Sequence, residues 1–136
     1  MPTSIAYAAL LEALAAQAGL DAAELRAQQE IVIDGVVIVL SATDAALECV
    51  CEVATLAREP APAQWRWLLQ ANTLGPATRG AALGLLGSRY ALVLGQRVPL
   101  DAPAAEVLRS CRDLAAAALA WKALLPAAEQ GGPLPP

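Results

Sequence analysis

Two cysteines with one residue between them, Cys49 and Cys51, and the glutamates that bracket them, Glu48 and Glu52, are the side chains best placed for chemistry. Alternation along a strand puts both cysteines on one face and both glutamates on the other. Thiols at that spacing sit too far apart for an easy disulfide, so they read as small core residues before a redox pair or a metal half-site. The glutamates share a solvated face and read as a charged outer surface rather than an acid–base pair. Help from elsewhere in the chain is scarce. There is no histidine, which removes the commonest general base and metal ligand and excludes serine–histidine and cysteine–histidine nucleophiles. Three cysteines without a C-x-x-C pair do not make a zinc site. Gly80-Ala81-Ala82-Leu83-Gly84 lacks the Lys-Ser/Thr ending and following helix of a phosphate loop; its glycines read as strand curvature or close contact. No enzyme, cofactor or metal is expected.

The elements that position these residues follow from periodicity. Residues 4–18 read as a helix capped by Thr3 or Ser4, with Tyr7, Leu10, Leu11, Leu14 and Ala18 on one face and Gly19 as its stop. Asp21-Ala22-Ala23-Glu24 can start one further helical turn. Ile31-Val32-Ile33 and Val36-Val37-Ile38-Val39-Leu40, joined by Asp34-Gly35, form a hairpin on a two-residue type I′ turn. Its two apolar faces predict a sheet covered on both sides. A third strand carries Leu47, Cys49, Cys51 and Val53 on its buried side. Glu59-Pro60-Ala61-Pro62 leads into a second helix, about 62–73, apolar on two sides through Trp65, Leu68 and Leu69 and through Trp67, Ala71 and Leu74. Strands over about 79–86 and 89–95 meet at Gly87-Ser88. Val98-Pro99-Leu100 connects to Asp101, the expected cap of a last helix over about 102–125 with the stripe Val107, Cys111, Leu114, Ala118, Trp121 and Leu125. The order α-β-β-β-α-β-β-α describes an α+β fold, a twisted antiparallel sheet packed by helices. One domain over 1–125 and a disordered Pro/Gly-rich tail over 126–136 are expected.

Bulk properties narrow the partners. At 136 residues the chain can bury a core without staples. Its hydrophobic share, 57% before glycine is counted, exceeds the roughly 45–50% usual with glycine included. Apolar surface is therefore available for a partner, most simply a second copy. The net charge is −4, the pI is about 4.7, and nine basic residues are scattered singly, which excludes nucleic acid as the expected partner. Met1-Pro2-Thr3-Ser4 has no basic region before its apolar run. No stretch reaches the roughly 18–20 uncharged apolar residues of a membrane span. A cytosolic protein with reduced thiols, not inserted in a membrane, is expected.

The second half carries a resemblance. Leu68-Leu69-Gln70-Ala71-Asn72 closes the middle helix before a glycine-rich hairpin. Leu92-Val93-Leu94, Arg97-Val98-Pro99-Leu100 and an alanine-rich last helix with a tryptophan near its end follow. This resembles the Tir-chaperone family of class I type III secretion chaperones, over about residues 3–125 and most sharply over 65–124. The resemblance implies a homodimer in the bacterial cytoplasm that binds the N-terminal chaperone-binding segment of a secreted effector. It also brings a contact with the secretion-apparatus ATPase within expectation. The implied dimer contact falls on Trp65, Leu68, Leu69 and Asn72, and two tryptophans within three residues suit an interface anchor. Leu10, Leu14, Ile31, Ile33, Val37 and Val39 are the candidates for client contact, each with ordinary core burial as the alternative. A regulatory binding protein of the same fold, which sequesters a secretion regulator, is the other functional reading.

Overall fold

The protein was described from a computed structural model, which describes residues 2–55, 62, 63, 66, 82–86 and 91–129. Helix α1 (Pro2–Ala18) starts at a proline whose missing N–H costs nothing in a first turn. It ends where Gly19 takes φ +72° and the Leu20 N–H reaches back to the Ala15 carbonyl at 2.8 Å, a Schellman closure. The turn expected after Asp21 is a full seven-residue helix, α2 (Ala22–Gln28). The Asp21 carboxylate accepts from the Ala23 and Glu24 N–H groups at 2.8 and 3.3 Å. At its other end Gln29 caps the helix in the left-handed region, φ 52°.

The hairpin of β1 (Glu30–Ile33) and β2 (Val36–Ala42) forms as the sequence predicts. Asp34 and Gly35 both take positive φ, 51° and 79°, as a type I′ turn demands, and Ile33 pairs with Val36. Strand β3 (Ala46–Thr55), strand β4 (Ala82–Leu86) and strand β5 (Ala91–Pro99) complete an antiparallel sheet in the order β1-β2-β3-β5-β4. Strand β5 pairs with β3 along nearly its whole length, with a bulge between Glu52 and Ala54. The segment Val98-Pro99, expected as a connector, is the end of this strand, with Pro99 opposite Ala46 at the edge of the ladder.

Helix α3 (Ala104–Glu129) begins three residues after Asp101, so Asp101 is not its cap. Ala102 instead closes a turn on the Pro99 carbonyl, and the Pro103 carbonyl accepts the first helical bonds from Glu106 and Val107 at 2.9 and 3.1 Å. The helix also runs four residues past the domain boundary expected at 125. The expected middle helix lies outside the described residues, apart from helical Pro62, Ala63 and Arg66.

One face of the sheet is the core. Helices α1 and α3 cover it, and Leu10, Leu11, Leu14, Ile31, Val36, Ile38, Leu40, Leu47, Leu92, Leu94, Leu114 and Trp121 meet there, each at most 5% exposed. A fully buried Leu or Ile adds roughly 1.5–3 kcal/mol relative to exposure, so this face dominates stability. At the β1–β2 end, no helix among the described residues covers the opposite face. Val32, Val37 and Val39 are 60%, 44% and 51% exposed, because they alternate away from both helices.

Candidate polypeptide-binding surface

That outward face is built from register. Val32 pairs with Val37, and a straight row Glu30–Val39–Val50–Gly95–Ala82 crosses all five strands from partner to partner. A second row, Ser41–Glu48–Arg97, runs beside it. Arginine and glutamate close on each other there, with the Arg97 Nε and Nη2 atoms 3.0 Å from Glu48 Oε1. Both sit in a fairly wet setting, where such a pair is worth only about 0–1 kcal/mol; its use is to fix which polar groups border the apolar row.

Residues Glu48, Val50, Ala82, Gly95, Gln96 and Arg97 line an open depression of about 400 Å³ on this face. A methyl group at Gly95 would meet the Val50 Cγ2 at 3.7 Å, an ordinary contact. Glu30, Glu48 and Glu52 against Arg97 leave the sheet's outer face with an excess of carboxylates. Strand β1, among the described residues, pairs only with β2, so its other edge presents unpaired backbone groups beside the valines.

The candidate client residues divide. Val37 and Val39 lie on this exposed face, joined by Val32, which the sequence reading did not single out. Its signal was available: Val32 is the residue of β1 that alternates outward opposite Val37. Leu10, Leu14 and Ile31 are 5%, 0% and 3% exposed and belong to the core between α1 and the sheet. Ile33 is half-buried against the same core. Leu10, Leu14 and Ile31 are thus buried, as the alternative reading has it, and Ile33 is only partly so. The dimer candidates Trp65, Leu68, Leu69 and Asn72 lie outside the described residues.

A hydrogen-bonded knot fixes the end of the sheet that carries the valines. Tyr7 Oη on α1 is 2.8 Å from Gln29 Oε1 and 3.1 Å from the Leu40 carbonyl. The Leu40 N–H donates to the Gln29 carbonyl at 2.8 Å, and the Gln29 N–H to the Leu25 carbonyl at 2.8 Å. The left-handed residue Gln29 is thus held from three sides, which offsets its conformational cost of order 1–2 kcal/mol. Burial, with a smaller contribution from nearby Cys49, pushes the Tyr7 hydroxyl above its usual pKa.

The thiols of β3 are small core residues, the reading their spacing favoured. Cys49 and Cys51 share the buried face, 1% exposed each, as the alternation requires. A third thiol, Cys111 on α3, is 0% exposed in the same core and acts on Cys49. Their mutual hydrogen bond raises the Cys49 pKa, reinforced by burial, and lowers that of Cys111 against its own burial. Burial raises Cys51 too, opposed by Lys122 and by a backbone hydrogen bond at Leu94. Among the described residues no cluster of three or more Cys, Asp or Glu side chains could hold a metal ion, and no helix is long and apolar enough to cross a membrane.

No protein-family model matches the sequence, and no curated protein matches it. Solved structures do. A chain of the HopA1–SchA chaperone–effector complex superposes with a TM-score of 0.71 at 16% identity, over 90% of this chain and 97% of that one. The chain thus shares its α+β fold, a five-stranded antiparallel sheet packed by helices, with a component of a chaperone–effector complex.

Proposed function

We propose that this protein is a type III secretion chaperone that binds the N-terminal chaperone-binding segment of an effector in the bacterial cytoplasm, keeping it soluble and secretion-competent. The observation that carries the reading is the exposed patch of Val32, Val37 and Val39 beside the edge of β1. A client segment in extended form gains backbone hydrogen bonds from such an edge, while its alternate side chains cover the apolar patch. The fold likeness to a chain of a chaperone–effector complex supports the same reading, as does the resemblance of residues 65–124 to the Tir-chaperone family. The working form is a homodimer joined through Trp65, Leu68, Leu69 and Asn72, and neither nucleotide nor metal takes part.

The test is Val32→Thr, Val37→Thr and Val39→Thr together. Threonine keeps the β-branch and so the strand, but each exchange removes a methyl group and adds a hydroxyl, worth about 1 kcal/mol when a client covers it. Together they weaken capture of the effector's N-terminal segment by about a hundredfold and leave the melting temperature within about 3 °C. Unchanged affinity with unchanged stability would remove the valine patch from the mechanism.

A further inference from the structure

Given a client strand at the β1 edge, on which this inference rests, we infer that the strand runs antiparallel to β1 in the pattern apolar–x–basic. An apolar side chain sits beside Val32 and, two residues later in the client, a lysine or arginine pairs with Glu30. The hairpin decides which backbone groups of β1 are left for a partner. Ile33 and Val36 flank the two-residue type I′ turn and so exchange both ladder bonds. Bonded pairs then recur at every second residue, at Ile31–Ile38 and again at Gln29–Leu40, where the Leu40 N–H donates to the Gln29 carbonyl at 2.8 Å. The N–H and C=O groups of Glu30 and Val32 therefore point away from β2. They face an edge that pairs with no strand among the described residues. Each offers an added strand one donor and one acceptor.

The same two residues present their side chains on the outer face. Val32 is 60% exposed, and Glu30 stands two positions away, opposite the exposed Val39. Backbone and side-chain recognition thus fall on one pair of residues. In an antiparallel addition, a client residue bonded to Val32 lies beside it on the outer face, and the residue two further on lies beside Glu30. Antiparallel pairing is the more stable kind per residue and continues the pattern of the whole sheet. The charge at the second position follows from what Glu30 lacks. Among the described residues its carboxylate has no hydrogen bond or ion pair. Arg97 and Arg26 are held by Glu48 and Glu12 at 3.0 and 3.3 Å. A client cation supplies the missing partner, whereas a client carboxylate would stand directly opposite a like charge. Glu30 thus selects among apolar segments by charge, and its place relative to Val32 sets their direction.

The test titrates the full-length, nitrogen-15-labelled protein with three end-blocked, threonine-rich peptides and follows its amide resonances. Their central residues are valine–threonine–lysine, valine–threonine–glutamate and lysine–threonine–valine. Shifts at the Glu30 and Val32 amides locate binding at β1. The valine–threonine–lysine peptide binds about fivefold tighter than its glutamate counterpart, because attraction replaces repulsion across the pair. Salt shrinks that difference. The lysine–threonine–valine peptide binds more weakly than valine–threonine–lysine, since it cannot satisfy Val32 and Glu30 together. Glu30→Gln removes the preference for lysine over glutamate and Glu30→Lys reverses it, with unchanged core resonances showing that both variants fold. Equal binding of the lysine and glutamate peptides at β1 would overturn the proposal, and so would tighter binding of lysine–threonine–valine. If Val32→Thr still weakens all three peptides, the valine patch keeps its role and only the charge and direction fail. If no peptide shifts the β1 amides, the edge itself fails as the client site.

Discussion

Replacing Leu14 with alanine separates the two roles its sequence position allows. Leu14 lies on α1, 0% exposed, among Leu10, Leu11, Leu25 and the inward residues of the sheet. Truncation there removes three buried carbons and leaves a cavity that a helix clamped at both ends cannot close. The Gly19 closure and the Tyr7–Gln29–Leu40 bonds hold α1 in place on either side. Large-to-small changes of this kind cost about 2–5 kcal/mol, and a fully enclosed site falls in the upper half, near 3–4. For a chain of 136 residues, the unfolding entropy is roughly 0.3 kcal/mol per kelvin, so the melting temperature drops by about 10–14 °C. Thermal unfolding followed by circular dichroism, at one fixed protein concentration, reads this directly. At a temperature where the variant is still folded, its client affinity stays within about twofold of the natural protein. A drop below about 3 °C combined with lost client binding would refute the reasoning, because Leu14 would then face a partner rather than the core.

Two further expectations rest on single residues. Gly35→Ala meets no atom within 4 Å, so its cost is conformational alone. At φ 79° that is about 1 kcal/mol, a 3–4 °C lower melting temperature, and no loss would show that the turn relaxes. Tyr7→Phe removes the contacts to Gln29 and Leu40 for about 1 kcal/mol. It also changes the alkaline limb. Tyr7, Cys49 and Cys51 are all raised in the folded state, so each contributes stability that is intact below its unfolded pKa and fades as the pH rises beyond it. Cys111, lowered in the folded state, offsets Cys49, so the fall at about pH 9 comes from Cys51, and stability falls more steeply above about pH 10 as unfolded tyrosine ionises. Tyr7→Phe flattens only the upper part, and identical profiles for the two proteins would exclude Tyr7 from the effect.

Where the signal was local, the sequence disclosed the structure. Asp34-Gly35 demanded two positive φ values and has them. Asp21 announced a cap, and the spacing of Leu10, Leu11 and Leu14 named the buried face of α1. Predictions that needed long-range information came out differently. Nothing local says that β5 inserts between β3 and β4, and that pairing is what draws Val98 and Pro99 into the sheet. Asp101 is a good cap by type, yet the turn closed on the Pro99 carbonyl leaves Pro103 at that position. The alternating valines of the hairpin are apolar on both faces, but periodicity cannot tell which face the helices choose. Val32, Val37 and Val39 stand exposed because, of the described helices, both α1 and α3 pack on the other face.

The measurement closest to the central claim is light scattering on the protein alone and after co-expression with a secreted protein of its own bacterium. The account predicts a free dimer of about 28 kDa, twice the 14.0 kDa chain. It also predicts a complex in which two copies hold one client through that client's N-terminal segment. A 14.0 kDa monomer that captures no secreted protein would contradict it.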